Sequence, residues 1–184
     1  TKSNLRKQLT TQKNLEHTKL KPLIIGYSEG YQKHTAFKIS NYGGGPAIIK
    51  KVKIYRREEE NLNRRDYCIN DFIKLPLELT WEFHWEFIQD EYYLNPQQSI
   101  SLFYISAENI KKQIIDRTDG YARMNHEEVQ KILQKIRTQR KGLVIQILYS
   151  HILSDLDEYR EFENDYNFEY DFDEVIFKKS TTFC

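Results

Sequence analysis

The sequence predicts a mainly-β domain: an antiparallel β-sandwich with helical insertions, led by an N-terminal helix. Three observations predict it. Aromatic residues make up 14% of the 184 positions, with 13 Tyr and 10 Phe, and such side chains suit pleated, half-buried surfaces better than helix bundles. Apolar and polar residues alternate over several runs, most plainly across 77–88 and 161–173, which is the two-residue period of a strand with one buried face. Finally, the stretch Asn41-Tyr42-Gly43-Gly44-Gly45-Pro46-Ala47 places three of the seven glycines between two strand-like runs. Glycine bends the backbone at no steric cost and proline fixes φ, so this is a strand-to-strand corner, with at least one of the three glycines expected at positive φ. A phosphate-cradling loop would run through Gly-Lys-Ser/Thr into a helix. Here Ile48, Ile49, Val52 and Ile54 lead into a β-rich run that also carries Lys50, Lys51 and Lys53.

The elements follow in order. Residues 1–20 lack Gly and Pro and space Leu5, Leu9 and Leu15 without a continuous apolar stripe, which predicts a weakly amphipathic lead-in helix ended at Lys21-Pro22. Strands are expected at Leu23–Tyr27, His34–Asn41 and Ala47–Arg57. In the run from Leu77, the residues Leu79, Trp81, Phe83, Trp85 and Phe87 alternate with Glu78, Thr80, Glu82, His84 and Glu86, predicting one long strand with both tryptophans on its buried face. Asn95-Pro96 breaks the chain before a strand at Ser99–Ser106. A helical insertion spans about 106–141: Ser106 caps a helix carrying Ile110 and Ile114, and Asp119-Gly120 makes a turn. Asn125 with Glu128 then starts a second helix, whose stripe Val129, Ile132, Leu133 and Ile136 is closed by Gly142. Leu143–Ile152 reads as a central apolar strand. Phe162 to Asp173 reads as a last strand or hairpin. The organisation is a connector over 1–21 and one sandwich domain over 22–184.

Composition excludes several classes of partner as the default. With 30% charged residues and a formal net charge of +1, no global field advertises nucleic acid or a membrane surface. Basic groups at Arg56-Arg57, Arg64-Arg65, Lys111-Lys112 and Arg137/Arg140/Lys141 are offset by Glu58-Glu59-Glu60 and the acidic tail. The last basic group also suits the negative end of a helix dipole. Cys68 and Cys184 stand far apart with no histidine at ligand spacing; a reducing compartment is expected, and one long-range disulfide stays open.

Two clusters have metal-ligand residue types. Glu82, His84 and Glu86 share a strand face, and Asp155, Asp157 and Glu158 crowd one turn. The first would need a third ligand from a neighbouring element and the second lacks the following ligand and Gly of a calcium loop, so both read as solvated surface. Cys68 lies in an apolar setting and no nucleophile elbow is present. No catalytic, cofactor or metal residues are assigned, and the chain is not expected to be an enzyme.

The corner Asn41-Tyr42-Gly43-Gly44-Gly45-Pro46-Ala47 resembles the Asn-x-Gly-x-Gly-Pro-Ala corner of immunoglobulin-like β-sandwich extramembrane domains in uncharacterised bacterial membrane proteins. Ile147 to Ser154 followed by Tyr159 echoes a late strand of that family, with His151 where an acid or amide is usual and Ser154 where Gly is usual. The resemblance implies a Gln/Lys-rich helix, here 1–22, leading in from a transmembrane segment upstream of Thr1, where no methionine starts the chain. Lys2, Arg6, Lys7, Lys13, Lys19 and Lys21 against the lone Glu16 then imply a domain facing the cytoplasm. The expected function is a non-catalytic sensing or protein-interaction module of a bacterial membrane protein, with a protein partner or a second copy as ligand. The alternative is a ligand-gated effector module, such as one in a phage-defence system, that binds a small nucleotide-like signal between sandwich and insertion. A metal-dependent hydrolase is a distant third, and nucleic acid is not expected as a partner.

Overall fold

The computed structural model describes residues 2–59, 69–85, 91–118, 124–160 and 162–173. Helix α1 (Lys2–Lys19) leads into two antiparallel four-stranded sheets. The first sheet runs β1-β2-β6-β4 from Ile24–Tyr31, His34–Asn41, Ser99–Ser106 and Phe83–His84. The second runs β5-β3-β7-β8 from Tyr92–Leu94, Ala47–Arg56, Leu143–His151 and Asp165–Asp171. Short helix α2 (Ile69–Phe72) precedes β4, and the insertion contains α3 (Ala107–Arg117) and α4 (His126–Gln139). This is the mainly-β sandwich with helical insertions that the pattern predicts.

The strands form where apolar spacing lets one face close on the other sheet. In β3 the core residues Ile49, Val52 and Ile54 break the period of two by one residue. A bulge at Lys50 absorbs it, since Ile49 pairs with Tyr149 while Lys51 pairs with Leu148. A second bulge places Phe37 opposite Phe103 and Lys38 opposite Ser101, with Leu102 as the extra, buried residue. Phe37 meets its β6 neighbour Phe103 at 6.1 Å within the first sheet and, across to the second sheet, Tyr170 edge-on at 4.8 Å, separations at which aromatic pairs attract. Strand β7 is central, flanked by β3 and β8, and almost wholly buried, as its apolar run predicts. The insertion closes the core from one side: Ile110 and Ile114 of α3 and Val129, Ile132, Leu133 and Ile136 of α4 join the same cluster.

The helix caps stand where the sequence puts them. Ser106 accepts from Asn109 N at 3.0 Å. Asn125 and Glu128 bond each other's backbone N–H at 2.9 Å in both directions, a complete capping box. Gly142 ends α4 at φ 73°.

Two expectations fail. The long strand over 77–88 is replaced by a 3-10 turn at Pro76–Glu78 and the two-residue β4. Leu77 and Glu78 sit at positive φ (57° and 56°), and Arg117 donates to both of their carbonyls. Pro76 and that left-handed pair turn the chain before a strand can form. Alternation survives in part: Leu79 is buried and Trp81 and Trp85 pack against the core, whereas Phe87 and Glu86 lie outside the described residues. The second failure is the corner, where none of Gly43, Gly44 and Gly45 has positive φ. Their reason for being glycine is steric. The tail gives one strand, β8, rather than a hairpin. Cys68, Cys184, Arg64-Arg65 and the Asp119-Gly120 turn also fall outside the described residues.

Candidate functional site

The corner between β2 and β3 carries the chain from one sheet to the other, and α1 ends on top of it. A Cβ added to Gly44 would stand 1.8 Å from the Lys19 carbonyl oxygen; at Gly45, 2.1 Å from Leu20 O; at Gly43, 2.3 Å from Lys21 O. Any side chain at these three positions would collide with backbone, so the glycines exist to let the end of α1 lie directly against the corner. Gly44 N donates to Lys21 O at 3.1 Å and Tyr42 N to Leu23 O at 2.8 Å.

Asn41, fully buried, fastens this junction with its side chain. Its Oδ1 accepts from Leu23 N at 3.1 Å and Gly43 N at 2.9 Å; its Nδ2 donates to Gly45 O at 2.8 Å and Leu94 O at 2.9 Å. Two acceptor sites and two donors are thus all used, which asparagine alone among residues of this size provides. One side chain ties the α1–β1 linker, the corner and β5 together.

On the other side of the helix end a ring stack closes the contact. His17 of α1 and His151 at the end of β7 lie 4.4 Å apart with planes 9° from parallel, and Phe162 stacks on His17 at 4.9 Å. His151 is 0% exposed. Its Nδ1 accepts from Leu153 N at 3.0 Å, so the ring proton is on Nε2, which donates to the carbonyl of His17 at 3.1 Å. Asn164 Nδ2 donates to Tyr159 O at 2.9 Å, leaving its Oδ1 to accept from His17 Nε2 at 3.2 Å. This geometry uses neutral His151, and burial together with the neighbouring His17 and Lys21 charges pulls its pKa below the ordinary 6.5, against the pull of its bond to the His17 carbonyl. Glu16 accepts from the Tyr159 hydroxyl at 2.8 Å, and that bond lowers the carboxyl's pKa. Lys21 Nζ lies 5.0 Å over the Tyr166 ring.

The hydrogen bonds of this junction hold backbone or orient a ring; its capacity is mechanical, fixing the direction in which α1 leaves the sandwich. Leu5, Leu9 and Leu15, each more than half exposed, lie on helix surface that the sandwich leaves uncovered.

The other constellations singled out in the sequence separate. Glu82 accepts from Ser106 N at 2.6 Å and His84 sits half-buried on β4. Asp157 pairs with Arg160 at 2.7 Å, both well exposed, and Asp155 takes a bond from the Ser154 hydroxyl at 3.4 Å. Among the described residues no group of three or more His, Cys, Asp or Glu is placed to hold a metal. Arg56 donates to Lys141 O at 3.1 Å and Arg57 pairs with Asp171. No helix among the described residues is long and apolar enough to cross a membrane.

No family model, curated protein or solved structure matches this chain. The site therefore stands on its own geometry. Sequence reasoning missed the junction because Glu16 and His17 meet Tyr159, His151 and Asn164 across more than a hundred positions. The one signal was His151 itself, a departure from the pattern that its strand resembles.

Proposed function

We propose that this domain is a non-catalytic sensing or protein-interaction module, coupled through α1 to the rest of its protein on the cytoplasmic side of a membrane. The observation that carries the reading is the clamp at the foot of α1. Three glycines, Asn41 and the His17–His151 stack hold the last turn of the helix on both of its sides, while its earlier turns expose leucines and lysines. A helix held this way moves with the sandwich, so a partner bound to one is felt by the other. The basic balance of α1 supports the cytoplasmic placement.

Photo-crosslinking in cells tests it. A benzophenone amino acid replaces Leu9 or Leu15 in the full-length protein, with Lys112 on α3 as a control position. A discrete protein adduct, to a partner or to a second copy, at the helix and not at Lys112 is expected. Uncrosslinked monomer at both helix positions would refute the interaction reading.

A further inference from the structure

The side of α1 that meets the sandwich carries Lys13, Glu16 and His17. Lys13 Nζ lies 5.9 Å over the Tyr159 ring, Glu16 accepts from the Tyr159 hydroxyl, and His17 stacks on His151 and Phe162. Residues four apart share a helix face, so Leu9 and Leu5 continue the side that carries Lys13. Arg6, three positions before Leu9, flanks them. Leu5 stands ~12 Å along the helix axis from Lys13, and residues 4–12 are exposed throughout. The docking side of the helix therefore runs on past its own domain, with Leu5 67% and Leu9 56% exposed. Neither Arg6 nor Lys7 forms an ion pair among the described residues.

The stretch after β7, on which the foot of α1 rests, has the complementary character. Asp155, Asp157, Glu163 and Asp165 are exposed there, and Arg160 is the one base in 152–165. Among the described residues only Asp157 of these four acids forms an ion pair, to Arg160. Ile152 and Leu156 lie among them, 37% and 48% exposed. Residues 1–12, in contrast, carry Lys2, Arg6 and Lys7 and no acid. A basic helix face with two leucines fits an acidic surface with two apolar side chains. Within one chain the two cannot meet, because the helix reaches this stretch through residues 13–17 and its first turns have already passed it.

We propose that the N-terminal half of α1 docks on the acidic 152–157 and 163–165 surface of a second copy of this chain, reciprocally, so that two chains form a two-fold dimer. The chain as a whole is almost neutral at +1, so the excess base of the helix is balanced by acid that the same chain carries elsewhere. Pairing two α1 helices side by side would instead bring like charges together. An anionic membrane surface would attract the helix but repel the acids beside its foot. Reciprocal exchange covers both pairs of leucines and matches both sets of charges, and it closes on itself, leaving no stripe for a third copy. The dimer rests on the interaction reading and gives its partner.

Sedimentation equilibrium of the whole chain from about 1 to about 500 µM tests the dimer. A monomer–dimer equilibrium is expected, weakened roughly tenfold when salt rises from about 0.05 to about 0.5 M. The variants Arg6→Glu/Lys7→Glu and Asp155→Lys/Glu163→Lys change exposed positions. Each should be monomeric alone, with the melting temperature of the parent's monomer, and the two should associate one-to-one when mixed, because mixing restores opposite charges at both contacts. Leu9→Ser should weaken the dimer and leave the circular dichroism spectrum unchanged. A monomer throughout the range, or a dimer that survives both charge variants, would overturn the proposal. So would oligomers larger than two, or binding to vesicles of anionic phospholipid without a dimer. If the chain is monomeric while a benzophenone at Leu9 captures a different protein, the dimer falls and the interaction reading stands; with no adduct at all, both fall.

Discussion

Replacing Gly44 by alanine is the most direct perturbation of the helix clamp. The new methyl would start 1.8 Å from the Lys19 carbonyl oxygen, where ordinary contact begins at 3.4 Å, so one backbone must retreat by about 1.6 Å. No flexible side chain can yield instead, because the obstacle is main chain. A displacement of that size breaks the Gly44 N to Lys21 O bond and pulls His17 off both Asn164 and His151. Three hydrogen bonds at a net ~1 kcal/mol each give a loss of about 3 kcal/mol. For a domain of ordinary stability, ~5–15 kcal/mol, that undocks α1 without unfolding the sandwich. Amide hydrogen exchange reads this directly. The amides of residues 14–21 and the His151 and Leu153 amides should lose protection, while those of β6 and β7 residues 144–148 keep theirs. Alanine at Tyr42, 62% exposed beside the corner, is the control. If Gly44→Ala exchanges like the parent over 14–21, the close approach does not hold the helix and the clamp is wrong.

Three further outcomes are expected. Asn41→Ala should cost about 4 kcal/mol in urea denaturation, because four bonded backbone groups lose their partner; Asn41→Asp should also destabilise, since its acceptors would face the Gly45 and Leu94 carbonyls. His151 is pushed below its ordinary 6.5, so its contribution is complete above pH 6.5 and is lost as pH falls from there toward the folded pKa; α1 should undock first in mild acid, with the lowered Glu16 adding to the loss below pH 4.5, and melts equal at pH 7.5 and 5.5 would contradict this. Phe37→Ala, at the centre of the inter-sheet aromatic cluster, should cost ~3–5 kcal/mol by thermal unfolding, and a loss under ~1 kcal/mol would show the cluster to be peripheral.

Much of this fold was legible in the sequence, because local spacing decides local structure. The strands β2 and β6 and both insertion helices begin and end where caps and alternation predict. Legibility failed where a distant partner decides. The run after Leu77 alternates well enough to be a strand, yet Arg117, some forty positions on, holds Leu77 and Glu78 in a turn. The glycine corner was placed correctly and explained wrongly: its constraint comes from α1, which no local φ argument contains. Arg137 and Arg140 fit the dipole of their own helix. Only the packed structure reveals that one of them, Arg140, is buried against the β1–β2 hairpin with no ion pair among the described residues.

The seating of α1 also sets an order of events during synthesis. Its partners lie at the other end of the chain: His17 reaches Asn164 across 147 positions, His151 across 134, and Glu16 reaches Tyr159 across 143. This helix leaves the ribosome before the strands it docks on and is therefore among the last elements of the domain to find its place; at ~5–20 residues per second its partners follow roughly 7–30 seconds later. Closing so long a loop is an entropic step that follows formation of the sheets. A chaperone or a neighbouring nascent chain meets this helix before its own domain does.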